Sequence, residues 1–170
     1  MIERRRVSAP ELGISVCFAI AQGHLSWREA KWGVESGLIP PQTFIDLACE
    51  QLGSKNLADD PLLNELCALL PADQLLIDKL VEAMCGREPD CPEEVRRKWL
   101  YLSLKWAAQN WRSYRNFPGV LEEVVVFFEY PDELHELNRA AAGMSGHKRE
   151  AGRDYSAVDK NFLALVESYL

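Results

Sequence analysis

The stretch RRKWLYLSLKWAAQNWRSYR, residues 96–115, holds three of the chain's five tryptophans and six of its nineteen basic residues, with no acid among them. Two readings compete: a basic, aromatic stripe that binds nucleic acid, or the central helix of a core. At about 100° per residue, Val95, Trp99, Leu102 and Trp106 fall in one apolar stripe. Leu100, Leu104, Ala107 and Trp111 form a second stripe well round the cylinder. Only the arc carrying Arg97, Lys98, Tyr101, Lys105, Arg112 and Arg115 is polar. A helix that is apolar on two sides meets protein on both, so the spacing predicts a central Trp-rich helix over residues 92–115.

Working outward, Pro, Ser and Asp recur just before apolar-periodic segments and Gly just after them, which is the punctuation of helices. A helix is expected over 10–22, with Gly23 as its stop. A second opens at Ser26, where S-W-R-E spells a capping box with Glu29, and stops at Gly37. "GHLS" and "GLIP" read as the same turn written twice, each with a leucine able to plug the gap between antiparallel helices. The third follows Pro40-Pro41 with Phe44, Leu47, Ala48 and Leu52 on one side. Further helices are expected from Pro61 to about Leu70 and from Asp73 to Cys85, the latter with Leu76, Leu80 and Met84 as its inner face. "GVLEEVVVFFEYP" (119–131) suits a strand by its β-branched run. It is assigned to a helix because Leu121, Val124, Val125 and Phe128 keep helical spacing and a lone strand would have no partner. One more helix follows from Pro131 to about Ala142. A Gly-rich, charged and mobile loop is expected at 143–155, then a final amphipathic helix from Ser156 with Val158, Phe162, Leu165 and Val166. The sum is an all-α, single-domain bundle or array of about seven to eight helices over residues 1–170.

Composition agrees, since 170 residues with 48% apolar content bury roughly 70% of the surface of the unfolded chain. The net charge of −7 opposes binding to nucleic acid or to anionic membranes, and a basic protein partner is the easier fit. Residues 40–94 carry twelve acids against three bases, and residues 119–137 six acids and no base. These acids are expected to pair with the basic arc. The residues nominated to meet a partner are Asp46, Glu50, Asp59, Asp60, Glu65 and Asp73. Five cysteines, Cys17, Cys49, Cys67, Cys85 and Cys91, are an odd number with no C-x-x-C spacing, and read as reduced thiols in a cytoplasm. Arg4-Arg5-Arg6 and the apolar run from Leu12 to Ala21 imitate a signal peptide, but Glu3, Pro10 and Glu11 interrupt the required order. A cytoplasmic location is expected. Monomer and homodimer both stay open.

Catalytic chemistry has little to build on. His24, His135 and His147 are isolated, and Glu122-Glu123 and Asp59-Asp60 are adjacent pairs that point apart on a helix. No zinc-protease, nucleophile-elbow, P-loop or dinucleotide motif is present. The expectation is a protein without enzymatic activity, metal or cofactor.

At KWLYLSLKWAAQN (98–110), LEEVVVFFEYPDEL (121–134), GHLSW (23–27) and ESGLIP (35–40), the chain resembles the bacterial family catalogued as domain of unknown function 2247. Those motifs are structural rather than catalytic. After Leu134 the family pattern leads one to expect an aromatic, Met-Pro-containing segment, where this chain has NRAAAGMSGHKREAGRDYS. The resemblance implies a small bacterial protein of the general type that includes immunity proteins, which cover the active site of a cognate toxin. A helical scaffold or adaptor is the alternative. A hydrolase assembled from distant residues, such as His24 with a cysteine and a carboxylate in a pocket, is the third.

Overall fold

A computed structural model describes residues 10–53, 59–114 and 117–129, together with Ala164. The helix expected at 131–142, the loop at 143–155 and, apart from Ala164, the helix from Ser156 lie outside the described residues. Those residues form an all-α fold with no strand among them: α1 (Val16–Gly23), α2 (Trp27–Glu35), α3 (Thr43–Leu52), α4 (Pro61–Cys67), α5 (Gln74–Cys85), α6 (Pro92–Gln109) and α7 (Phe117–Phe127), with a 3-10 turn at Trp111–Ser113. The chain divides into two compact units, Gly13–Trp99 and Met1–Leu12 with Leu100–Leu170.

In the 13–99 unit, α3 packs most extensively on α4, while α2 meets α3 and α5, and α1 meets α3. The interior is built from Ala19, Leu25, Trp27, Ala30, Phe44, Leu47, Ala48, Leu63, Leu66, Ile77, Leu80, Val81 and Met84, all buried. Trp99 joins them at 0% exposure. Its indole Nε1 donates to the Glu29 carbonyl at 2.8 Å, and its ring stacks on Trp32 with centroids 6.4 Å apart. The opening tryptophan is thus a core residue.

Local chemistry explains most of the boundaries. Ser26 and Glu29 form the expected capping box. At the other end of α2, Gly37 takes φ +76° and Leu38 N–H reaches back to the Gly33 carbonyl at 2.9 Å, a Schellman closure. Both turn leucines, Leu25 and Leu38, are buried. The two turns nevertheless differ. In the first, the left-handed residue is His24 (φ 44°) and not Gly23, which remains helical. α1 also begins six residues later than expected, because Gly13 is left-handed at φ +61° and Ser15 is extended. In α5 the inner face is Ile77, Leu80, Val81, Met84 and Cys85, so Leu76 is turned outward.

In the other unit, Leu102, Leu104, Ala107, Leu121, Val124, Val125 and Phe128 are buried, and 117–127 is helical as its spacing suggested. The Leu12 carbonyl accepts two hydrogen bonds, from Trp106 Nε1 and Tyr114 Oη, each at 2.9 Å. α6 stops at Gln109 rather than near 115. Asn110 leaves helical geometry and its side-chain amide caps the Trp106 carbonyl at 2.9 Å.

Candidate functional site

The nominated acids all belong to the 13–99 unit, on or beside α3, α4 and α5. Asp46, Glu50, Asp59, Glu65 and Asp73 are exposed. Asp60 is half-buried and already engaged within the unit. Its carboxylate caps α4 by accepting from the amides of Leu62 and Leu63 and pairs with Arg87. Burial alone would raise its pKa, but the Arg87 bond and the two amides outweigh that and hold the carboxyl below its usual range. Asp60 therefore organises the helix start that carries its neighbours.

Asp73 is exposed but also ordered. Its carboxylate accepts from Leu70 N–H at 2.9 Å while its own N–H donates to the Leu70 carbonyl at 2.9 Å. This closed turn between α4 and α5 displays leucines. Leu75 is 88% exposed, Leu70 67% and Leu76 37%, the exposed large hydrophobics among the described residues. An open depression of about 360 Å³ lies here, lined by Ala72, Asp73, Gln74, Leu75, Leu76 and Lys79. Gln74 donates to Asp78 at 2.7 Å, which fixes a second carboxylate near the leucines. The binary pattern missed this feature because Leu75, Leu76 and Ile77 are consecutive, and helical spacing alone does not say which faces inward.

Within the basic arc of α6, Lys98, Tyr101 and Lys105 are engaged. Lys98 pairs with Glu29 at 2.7 Å, an acid of α2 and not one from the acidic stretches expected to supply partners. Lys105 donates to Tyr101 Oη at 2.9 Å and lies 5.2 Å from its ring centroid. Arg97 is exposed. A further acid, unnoticed in the sequence, organises the start of α2. The Glu88 carboxylate accepts from Trp27 N–H and Arg28 N–H, both at 2.9 Å. Nothing local signals it, since 61 residues separate Glu88 from Trp27.

The expectation of uniformly reduced thiols is corrected as well. Cys49 and Cys67 are joined across α3 and α4, Cα atoms 5.6 Å apart, a separation typical of disulfides. Cys17, Cys85 and Cys91 are free. Burial pushes the Cys85 thiol up to about 11, so it is un-ionised and unreactive at neutral pH. His24 is exposed, and the α4–α5 depression contains neither histidine nor cysteine. Among the described residues there is no group of three or more His, Cys, Asp or Glu able to hold a metal ion, and no helix long and apolar enough to cross a membrane.

The fold places the chain among all-α proteins whose described surface offers carboxylates and a leucine cluster. The chain belongs to the DUF2247 family, described as an uncharacterized protein conserved in bacteria, whose family model matches residues 17–170. No curated protein and no solved structure matches it.

Proposed function

We propose that this chain is a non-enzymatic bacterial protein-binding module of the immunity or antitoxin type, which neutralises a basic toxin domain by covering it. The observation that carries this reading is the α4–α5 turn. Leu70 stands exposed in a turn closed by Asp73, and Leu75 and Leu76 stand exposed in the first turn of α5 that follows, with Asp78 one turn further on. Grouped exposed leucines beside carboxylates suit an interface whose apolar centre supplies affinity and whose charge steers a basic partner into place. Because the turn is already ordered, docking loses little conformational freedom there.

Asp46, Glu50, Asp59 and Glu65 widen the acidic field on the same unit. In this reading they act mainly on the rate of association, since charge steers encounter more than it fixes affinity. The cytoplasm is the proposed location. A helical scaffold stays the second reading, favoured by the same leucine turn if its partner has no activity to block.

The test looks for a toxin domain encoded by a gene beside this one and mixes it with the purified full chain. A one-to-one complex that abolishes toxin activity, weakens with salt and weakens again on Leu75→Ser supports the proposal. A complex indifferent to Leu75→Ser and to salt places the interface elsewhere. Absence of any complex at low salt overturns the inhibitor reading.

A further inference from the structure

Cys49 and Cys67 lie 18 residues apart and join α3 to α4. We infer that this pair is a reversible thiol–disulfide couple that clasps α4 onto α3 and releases it when reduced. The inference stands on those two helices and not on the proposed partner.

Accessibility comes first. Cys49 is exposed and Cys67 half-buried, so a small dithiol in solvent reaches the bond, unlike a staple sealed in a core. The second observation is the length of α4. A helix of seven residues is too short to hold itself in water, because nucleation costs more than so few hydrogen bonds return. It depends on the Asp60 cap, on Leu63 and Leu66, both fully buried, and on the bond to Cys49. Removing one of these three supports shifts the balance between a docked and an open α4. The third observation makes the change reversible. Leu63 and Leu66 belong to the same buried interior as Phe44, Leu47 and Ala48 of α3, and that packing needs no sulfur bond. It keeps the two thiols near one another after reduction, where re-closure is intramolecular and fast.

The chemistry balances with a dithiol as co-reactant. One thiolate of the reductant attacks Sγ of Cys49, the more exposed of the two residues. The Cys49–Cys67 bond breaks and Cys67 leaves as a thiolate that takes up a proton. The reductant's second thiolate then attacks its own sulfur in the mixed disulfide. Cys49 leaves as a thiolate and is protonated, and the reductant departs as its disulfide. Two electrons and two protons pass to the protein. Cys85 stays outside the exchange because it is buried.

The experiment equilibrates the full chain across a series of reduced to oxidised dithiothreitol ratios, traps free thiols by alkylation, and reads each cysteine by peptide mass. The expected result is one two-electron transition in which Cys49 and Cys67 become labelled together while Cys85 stays unlabelled. Across it, hydrogen exchange of the α4 amides accelerates about tenfold or more, and returning to oxidised dithiothreitol restores the slow rate. Cys49→Ser fixes the fast α4 exchange at every ratio, and Cys67→Ser reports the same should the first variant not fold. Three results would each overturn the inference: labelling of either cysteine at the most oxidising ratio, no labelling of the folded chain at the most reducing one, or α4 exchange that ignores the transition.

Discussion

The start of α2 and the turn between α4 and α5 belong to the same compact unit, yet they treat their chemistry in opposite ways. At the first, the exposed helix-end amides are matched one by one: Ser26 Oγ receives the Glu29 N–H, Glu29 receives the Ser26 N–H and the Lys98 ammonium, and Glu88 receives two more amides. Arg28 adds an ion pair to Asp90 at 3.0 Å. Beneath them Trp99 is wholly buried. At the second, Leu70 faces water from a turn closed by Asp73, and Leu75 and Leu76 do so from the first turn of α5. Leaving each large apolar side chain in water forgoes about 1.5–3 kcal/mol of burial. A single exposed leucine needs no explanation, but three so close together in the chain call for one. The contrast separates groups used to build the unit from groups held ready for something outside it.

The largest effect should come from the built end. Trp99→Ala removes a fully buried indole and its hydrogen bond to the Glu29 carbonyl, so unfolding free energy should fall by about 3–5 kcal/mol. Urea titration followed by circular dichroism measures it, and a loss below about 1 kcal/mol would break the contrast. Gly33→Ala probes the same packing from the other side. A Cβ there would lie 2.2 Å from Trp99 Cζ2, a clash that shifting a flexible chain end does not relieve. About 1–3 kcal/mol of overpacking cost is expected, together with altered tryptophan fluorescence.

Glu88→Ala comes next. It uncaps two amides at the positive end of α2, and unsatisfied donors of this kind cost about 1–3 kcal/mol. The expected signature is local, with faster hydrogen exchange at Trp27 and Arg28 than elsewhere. Asp60 gives a smaller effect with a pH signature. Its carboxyl is held below the ordinary carboxylate range, so the stability it contributes is fully present above its unfolded value near 4 and is lost as pH falls through the lower folded value. Thermal unfolding between about pH 5 and pH 2 should therefore decline less steeply in Asp60→Asn than in the parent chain. At neutral pH the variant keeps a cap, since Asn serves as well as Asp there, and should lose no more than about 1 kcal/mol with the Arg87 ion pair.

How much of this was legible in the sequence follows from the range of each interaction. The capping box, the Gly37 stop, the turn leucines and the helical spacing of Leu121, Val124 and Val125 are local, and each was read correctly from its own neighbourhood. The core role of Trp99 was legible too, because two apolar stripes on one helix leave little doubt about burial. Asp60 was nominated for its charge alone, although Asp-Pro before Leu-Leu is itself a helix-start signal, with Pro at the first helical position. The remaining errors are tertiary. Which of Leu75, Leu76 and Ile77 turns inward is set by packing on other helices, and the Glu88 cap and the Cys49–Cys67 bond join residues 61 and 18 positions apart. Lys98 found its acid in α2, a pairing that charge counting along the chain had assigned to later segments.

Leu75→Asp is the substitution that should change stability least and tests the comparison most directly. At 88% exposure the side chain contributes almost nothing to the interior, so unfolding free energy should stay within about 0.5 kcal/mol of the parent. Its position in the first turn of α5 even favours an acid, since Asp there faces the positive end of the helix. A merely structural account of the turn therefore predicts a neutral or slightly more stable protein with no other change. The docking account adds a loss at the centre of an interface, where an apolar anchor replaced by a charge costs more than a rim residue does. Tenfold or greater weakening of the complex with a basic partner, about 1.4 kcal/mol, should then accompany unchanged folding. The paired control is Glu50→Gln, an exposed acid away from the leucines, which should slow association and leave the dissociation rate alone. If Leu75→Asp instead unfolds the chain, the turn belongs with the α2 start as part of the built interior, and the distinction between the two ends dissolves.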